Sequence, residues 1–238
     1  MRLDKYLCEL HIGTRSQVKS LIRQGTVTVN GAVIRQADFQ VSEETDTVTF
    51  QGKPLQYQSF HYYLLNKPGG TVSATVDRTA QTVIDLLPPE LGRDLFPIGR
   101  LDKDTEGLLL LTDDGALAHD LLSPKKHVNK GYLVDLEAEL SGDDIRQLEQ
   151  GVDIGDDKPT LPAKVEVIAP RQILLTIQEG RFHQVKRMLH AVGNGVRALK
   201  RVSFGGIVLD ETLLPGAFRK LTAEELGILK EAADKEKK

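Results

Sequence analysis

Residues 99–115 read GRLDKDTEGLLLLTDDG. Four aspartates, Asp102, Asp104, Asp113 and Asp114, bracket the unbroken apolar run Leu108–Leu111. A short apolar run closed by Thr112-Asp113-Asp114-Gly115 reads as a buried strand, because a half-exposed strand would alternate and a helix would need more length. The acidic turn in front of it admits several readings. In a calcium-loop frame, Asp102, Asp104, Glu106, Gly107 and Asp113 fall at positions one, three, five, six and twelve. Leu110 at position nine offers no oxygen, and such a loop should lead into a helix, so the frame fits poorly. Asp102 and Asp104 could instead form a carboxylate pair for acid/base work, but no leaving-group acid stands nearby. From spacing alone, an aspartate that satisfies its own turn is the simplest reading.

The strand has neighbours of mixed type. YYLLNKP (62–68) reads as a strand stopped by Pro68, and GALAHDLL (115–122) as a helix. KGYLVDLEAEL (130–140), AKVEVI (163–168) and QILLTIQ (172–178) read as strands, the last two broken at Ala169-Pro170. HQVKRMLHAVG (183–193) is helical, with Val185, Met188, Leu189 and Val192 on one face. Thr222 and Glu225 form a capping box for a C-terminal helix. Adjacent strands joined by short turns predict an α+β fold on a mixed, largely antiparallel sheet.

Ahead of this lies a smaller unit. Leu3, Leu7 and Leu10 share one helical face, and Thr14 with Gln17 caps a second helix that Gly25 ends. Val18, Leu21 and Ile22 give that helix its buried stripe, and Arg15, Lys19 and Arg23 recur every four residues as a basic stripe beside it. TVTVNGAVI (26–34) alternates around Asn30-Gly31, a strong hairpin signal, and DTVTF (46–50) adds a strand. Two domains are expected, 1–57 and 58–238.

Composition narrows the class. The chain has 238 residues, is 40% hydrophobic and carries one cysteine, Cys8. That excludes an internal disulfide framework and suits a reducing, cytoplasmic compartment. No apolar run approaches a membrane span, and the charged start leads into no signal-peptide core. The net charge of −3 does not announce a polyanion partner, but the charge is segregated. Residues 181–201 hold Arg181, Lys186, Arg187, Arg197, Lys200 and Arg201 and no acid. Such patches are ordinary solvated faces unless other evidence gives them a partner.

That evidence is the order of several blocks. Gly99-Arg100-Leu101-Asp102, followed by Thr105, Gly107 and the apolar strand, resembles the catalytic-aspartate motif of the pseudouridine synthases. Asn66-Lys67-Pro68-Gly69-Gly70, Lys130-Gly131-Tyr132 and Gly180-Arg181-Phe182-His183-Gln184-Val185-Lys186-Arg187-Met188 resemble further blocks of that family, in order. The first unit resembles an S4-like RNA-binding domain. The resemblance implies an rRNA isomerase that needs no metal or cofactor. It implies Asp102 as nucleophile, whether by attack on C1′ or the base or by a glycal-type path. Tyr132 would stack on the flipped base and Arg100 would fill its place and touch phosphate. Lys186, or its neighbour Arg187, would supply a cation that favours the carboxylate. Arg15, Lys19 and Arg23 would pair with phosphates. His183 is expected to be structural, and Asp104, Asp113 and Asp114 to be loop and strand-end residues. The expected partner is 16S rRNA or a partly assembled small ribosomal subunit, and the expected state a monomer. A 23S rRNA isomerase and a non-catalytic ribosome-assembly factor are the alternatives.

Overall fold

The computed structural model describes residues 1–10, 12–43, 45–55, 60–92 and 94–234. The chain forms two compact units, Met1–Ser59 and Phe60–Lys238. The boundary expected between residues 57 and 58 lies outside the described residues.

In the first unit, helices α1 (Leu3–Glu9) and α2 (Arg15–Arg23) share a core with an antiparallel sheet. Its strands β1 (Val27–Val29), β2 (Ala32–Val33), β3 (Val48–Phe50) and β4 (Lys53–Leu55) run in the order β2-β1-β3-β4. Leu3, Leu7, Val18, Ile22, Val27 and Val48 are fully buried, so the apolar stripes of both helices face the hairpin. Gln17 Oε1 accepts from the Thr14 amide at 2.8 Å, as its capping role requires. Asn30 and Gly31 both take positive φ, 51° and 82°, which is what a two-residue hairpin of matching twist demands. The Asn30 side-chain amide ties this turn to the chain just ahead of β3, donating to Asp46 and accepting from the Thr47 amide.

The second unit begins with β5 (Tyr62–Lys67), the short helix α3 (Pro89–Gly92), β6 (Phe96–Pro97) and β7 (Glu106–Thr112). Then come α4 (Gly115–Leu122), β8 (Lys130–Leu136), α5 (Gly142–Gln150), β9 (Lys164–Ala169), β10 (Gln172–Ile177) and α6 (Gln184–Ala191). The chain continues through β11 (Val196–Phe204), β12 (Ile207–Val208), β13 (Phe218–Lys220) and α7 (Ala223–Asp234). The strands form one sheet in the order β13-β5-β7-β11-β8-β10-β9, with β6 added to β7 and β12 to β11. Neighbours are antiparallel except β7 and β11, which run parallel with Lys200 opposite Glu106 and Arg201 opposite Gly107.

β7 explains the apolar run. Leu109 and Leu111 face one core with Leu65, Val134, Leu148 of α5, and Val185, Met188 and Leu189 of α6. Leu108 and Leu110 face another with Leu64, Phe204, Leu117 and Leu121 of α4, and Leu229 of α7. Helices cover both faces, so alternation would have buried polar groups. The aspartates behind the strand close it. Asp113 accepts from the His61 amide. Asp114 caps α4 by accepting from the Leu117 amide at 3.0 Å and takes the Tyr62 hydroxyl at 2.7 Å. Burial and the Asp114 carboxylate together push the Tyr62 phenol well above its usual pKa, so it stays a donor.

Three features depart from the sequence reading. No strand was expected over 196–204, yet β11 lies in the middle of the sheet. Arg197, Lys200 and Arg201 interrupt its apolar pattern. Arg201, counted with the basic patch, is only 2% exposed and belongs to the interior. Helix α5 was also not anticipated, although Ser141 and Asp144 cap it reciprocally. The strand expected over 130–140 stops at Leu136.

Candidate active site

Asp102 sits in the loop between β6 and β7, and its backbone is held from several sides. Gly99 enters the loop at φ 79°, where a side chain would press on Leu122. Leu101 is buried, and the Ser73 hydroxyl both accepts from its amide and donates to its carbonyl, each at 3.0 Å. The Asp102 carbonyl accepts from the Thr105 amide at 3.1 Å. Beneath the loop lies Lys67, fully buried at the end of β5. Its ammonium donates to the carbonyls of Pro68, Lys103 and Thr105 at 3.1, 3.3 and 2.8 Å. Burial depresses its pKa to about 8, against the pull of Asp104, Glu106 and Asp102. A side chain used in this way gives the carboxylate a rigid support.

Helix α6 brings the cation. Its start is fixed by Gln184, which is buried and ties the Arg181 amide to Glu179 at 2.9 Å each way. His183 takes a left-handed conformation, φ 48°, before the first turn. Lys186 then reaches Asp102 Oδ2 at 3.2 Å and both oxygens of Asp104 at 2.6 and 2.9 Å. Partial burial works against the Lys186 cation, but the hydrogen bonds to Asp104 and Asp102 outweigh it and raise its pKa. Asp104, expected to be a plain loop residue, is thus the second anchor of this ammonium, whose hydrogen bond lowers its pKa. Arg187 turns the other way, toward Asp156 and the carbonyl of Ile154. Of the two candidate cations, Lys186 is the one beside Asp102.

Tyr132 lies on β8, 8% exposed, opposite Arg201 on β11 and Leu175 on β10. Arg100, Asp102 and Tyr132 line one cavity of about 560 Å³, a volume that suits a nucleotide. Arg100 itself is exposed at its rim. His183, read as structural, also faces the cavity, with Nε2 3.6 Å from Asp102 Oδ1. Its ring stacks on Phe182 at 3.8 Å between centroids, and Phe182 is 76% exposed. The sequence carried one signal for this pair, two adjacent aromatic rings in a Gly-Arg-Phe-His-Gln turn. Lys130 and Arg201 also line the cavity, and nothing local in the sequence marks them as buried.

The remaining candidates belong to the first unit. Arg15, Lys19 and Arg23 lie along α2, and the Arg15 side chain is 69% exposed with Asp4 at 3.9 Å. Asp4 is buried and paired chiefly with Arg2.

A mixed sheet with an aspartate loop clamped beside a nucleotide-sized cavity, and a small unit of two helices and a hairpin, are an architecture this chain shares with known proteins. The chain belongs to the RNA pseudouridine synthases, isomerases that act on RNA. The family described as RNA pseudouridylate synthase matches residues 61–191, and the S4 domain matches residues 1–48. The chain is 50% identical to the uncharacterised RNA pseudouridine synthase YtzG of Bacillus subtilis, over 97% of this chain and 99% of that one. It is 45% identical to the ribosomal small subunit pseudouridine synthase A of Escherichia coli, over 95% of this chain and 98% of that one. A crystal structure of a pseudouridylate synthase superimposes with a TM-score of 0.70 at 41% identity, covering 96% of this chain and 99% of that one. Among the described residues, no helix is long and apolar enough to cross a membrane.

Proposed function

We propose that the protein converts a uridine of 16S rRNA to pseudouridine, with Asp102 as nucleophile and without metal or cofactor. The observation that carries this reading is the Asp102 carboxylate, clamped at a nucleotide-sized cavity with the Lys186 ammonium at 3.2 Å. The small-subunit target is supported by relatives of that name at 45% identity along nearly the whole chain.

The target uridine leaves its stack at a cost of roughly a few kcal/mol. Tyr132 offers a flat face for it, and stacking of this kind contributes about 1–3 kcal/mol per base. Arg100 at the rim takes the vacated space and the neighbouring phosphate. Lys186 holds the Asp102 side chain toward the cavity. The N1–C1′ bond breaks, the base turns, and a C5–C1′ bond forms. C5 loses one proton and N1 gains one, so no co-reactant is consumed. A carboxylate that acts covalently divides this rearrangement into easier steps. Arg187 serves the RNA only if phosphate replaces Asp156. The enzyme works as a monomer in the cytoplasm, where small subunits are assembled.

Tritium release from RNA carrying 5-tritiated uridine tests the assignment. The 16S transcript, or a partly assembled small-subunit particle, should release tritium and the 23S transcript should not. Release from 23S RNA alone would move the target to the large subunit. Binding of 16S RNA without release from either would favour an assembly factor.

Affinity should come largely from the first unit. Replacing Arg15, Lys19 and Arg23 together by Ala should weaken RNA binding. It should also flatten the slope of log K against log salt by about 2, because single-stranded sites release about 0.7 counterion per phosphate contact. An unchanged slope in filter binding would remove these side chains from the RNA face.

A further inference from the structure

Two cations at the back of the cavity form no ion pair with any described residue. Lys130 and Arg201 line it while only 8% and 2% exposed. Among the described residues, no carboxylate lies within ion-pairing distance of either. The Lys130 ammonium, with three protons to donate, has one hydrogen bond, to the Val128 carbonyl at 2.9 Å. Arg201 spends Nε on the Leu108 carbonyl at 2.8 Å and has the Tyr132 hydroxyl beside it, and its Nη2 is buried with no partner. Both cations stand against the Phe204 ring, 5.5 and 5.0 Å from its centre. The register places Lys130 opposite Phe204 and Arg201 opposite Tyr132. Two desolvated, mutually repelling cations are a standing cost to the fold unless something negative arrives between them.

We propose that Lys130 and Arg201 form a cationic floor that receives the carbonyl edge of the flipped uracil and holds its negative charge while the base is detached. The inference rests on the proposed isomerisation at Asp102. When the N1–C1′ bond breaks, its electron pair leaves with the base, and the resulting uracil anion spreads its charge onto O2 and O4. Fixed donors in a water-poor site stabilise charge that develops in the reaction better than solvent does. A backbone phosphate does not fit the same place. It stays with the strand at the rim, beside the exposed Arg100, whereas the floor lies beside Tyr132, where the base stacks. The charge returns to C1′ as C5 attacks it, and the proton that C5 loses balances the one N1 gains.

Burial and the neighbouring Arg201 bring the Lys130 pKa down to about 8, with Glu179 opposing them. Tyr132 on the same strand shares the cavity with it, as do Asp102, Arg100 and Lys103 of the aspartate loop and Arg181 and His183 ahead of α6. Lys130 is therefore a cation below about pH 8 and neutral above it, and the floor weakens as the pH rises.

The test is single-turnover tritium release at low enzyme, which reports the free enzyme's ionisations, with RNA affinity measured separately. Lys130→Met should lower the rate about tenfold or more while the dissociation constant stays within about twofold. The wild-type rate should fall through about pH 8. In Lys130→Arg, whose charge persists at high pH, that alkaline fall should disappear. A Lys130→Met enzyme with the wild-type rate and pH profile would overturn the proposal. So would a loss that saturating enzyme restores, since that is the behaviour of a phosphate contact. Asp102→Asn, run in parallel, keeps the two readings apart. If it is inactive while Lys130→Met is fully active, the floor fails and the nucleophile stands. If it is active, the nucleophile assignment fails on its own account.

Discussion

Asp102→Asn should abolish tritium release from 5-tritiated uridine RNA, with a loss of at least about 10⁴-fold, or some 5 kcal/mol of transition-state stabilisation. The substitution isolates the chemistry because Asn keeps the shape of the side chain. The loop is held by Ser73, Lys67 and the Thr105 amide, all through backbone atoms or the residues beside Asp102. Lys186 retains Asp104 at 2.6 Å, so α6 should not move. The melting temperature and the affinity for 16S RNA should therefore stay close to wild type. What disappears is one negative charge with its nucleophilic lone pairs. A variant within about tenfold of the wild-type rate would remove Asp102 from the covalent role, since no general electrostatic effect of a lost nucleophile is so small.

The second large effect falls on stability. Gly107→Ala should destabilise the catalytic unit by about 3 kcal/mol or more. Gly107 takes φ 99°, in the region side chains avoid, directly opposite Arg201 across the parallel pair. A Cβ there would stand 2.3 Å from the Arg201 carbonyl oxygen and 3.0 Å from its amide nitrogen. Both are backbone atoms, so the clash is relieved only by parting β7 from β11. Gly115→Ala is the natural control. Nothing lies within 4 Å of a Cβ at Gly115, which opens α4. Calorimetry should show the first variant melting well below wild type and the second at or slightly above it. Equal melting temperatures for both would mean that the two strands slide past each other without cost.

The local features were legible in the sequence because local chemistry decides them. Asn30-Gly31 announced its turn, Thr14 and Gln17 their cap, and Leu108–Leu111 a strand covered on both sides. The blocks around Asp102, Tyr132 and Lys186 announced the family, and the structure puts Asp102 and Tyr132 on one cavity with Lys186 against Asp102. What stayed hidden depends on partners remote in the chain. β11 reads as a basic segment because Arg201 is polar, yet its neighbours on both sides bury it. Lys186 could not be separated from Arg187 until α6 was placed, since one helical step turns one toward Asp102 and the other toward Asp156. Lys67 and Lys130 look like surface lysines in a sequence. Only the folded sheet strips their water.

The parallel pairing of β7 and β11 also has a logistic consequence. Asp102 is presented from the β5–β7 side of that line, while Tyr132 and Lys186 come from the β8–β10 side, through chain made later. Neither side alone carries the residues assigned to the chemistry, and the two meet only when the last central strand is inserted. The two halves of the site are thus brought to one place only once β11 joins β7 to β8.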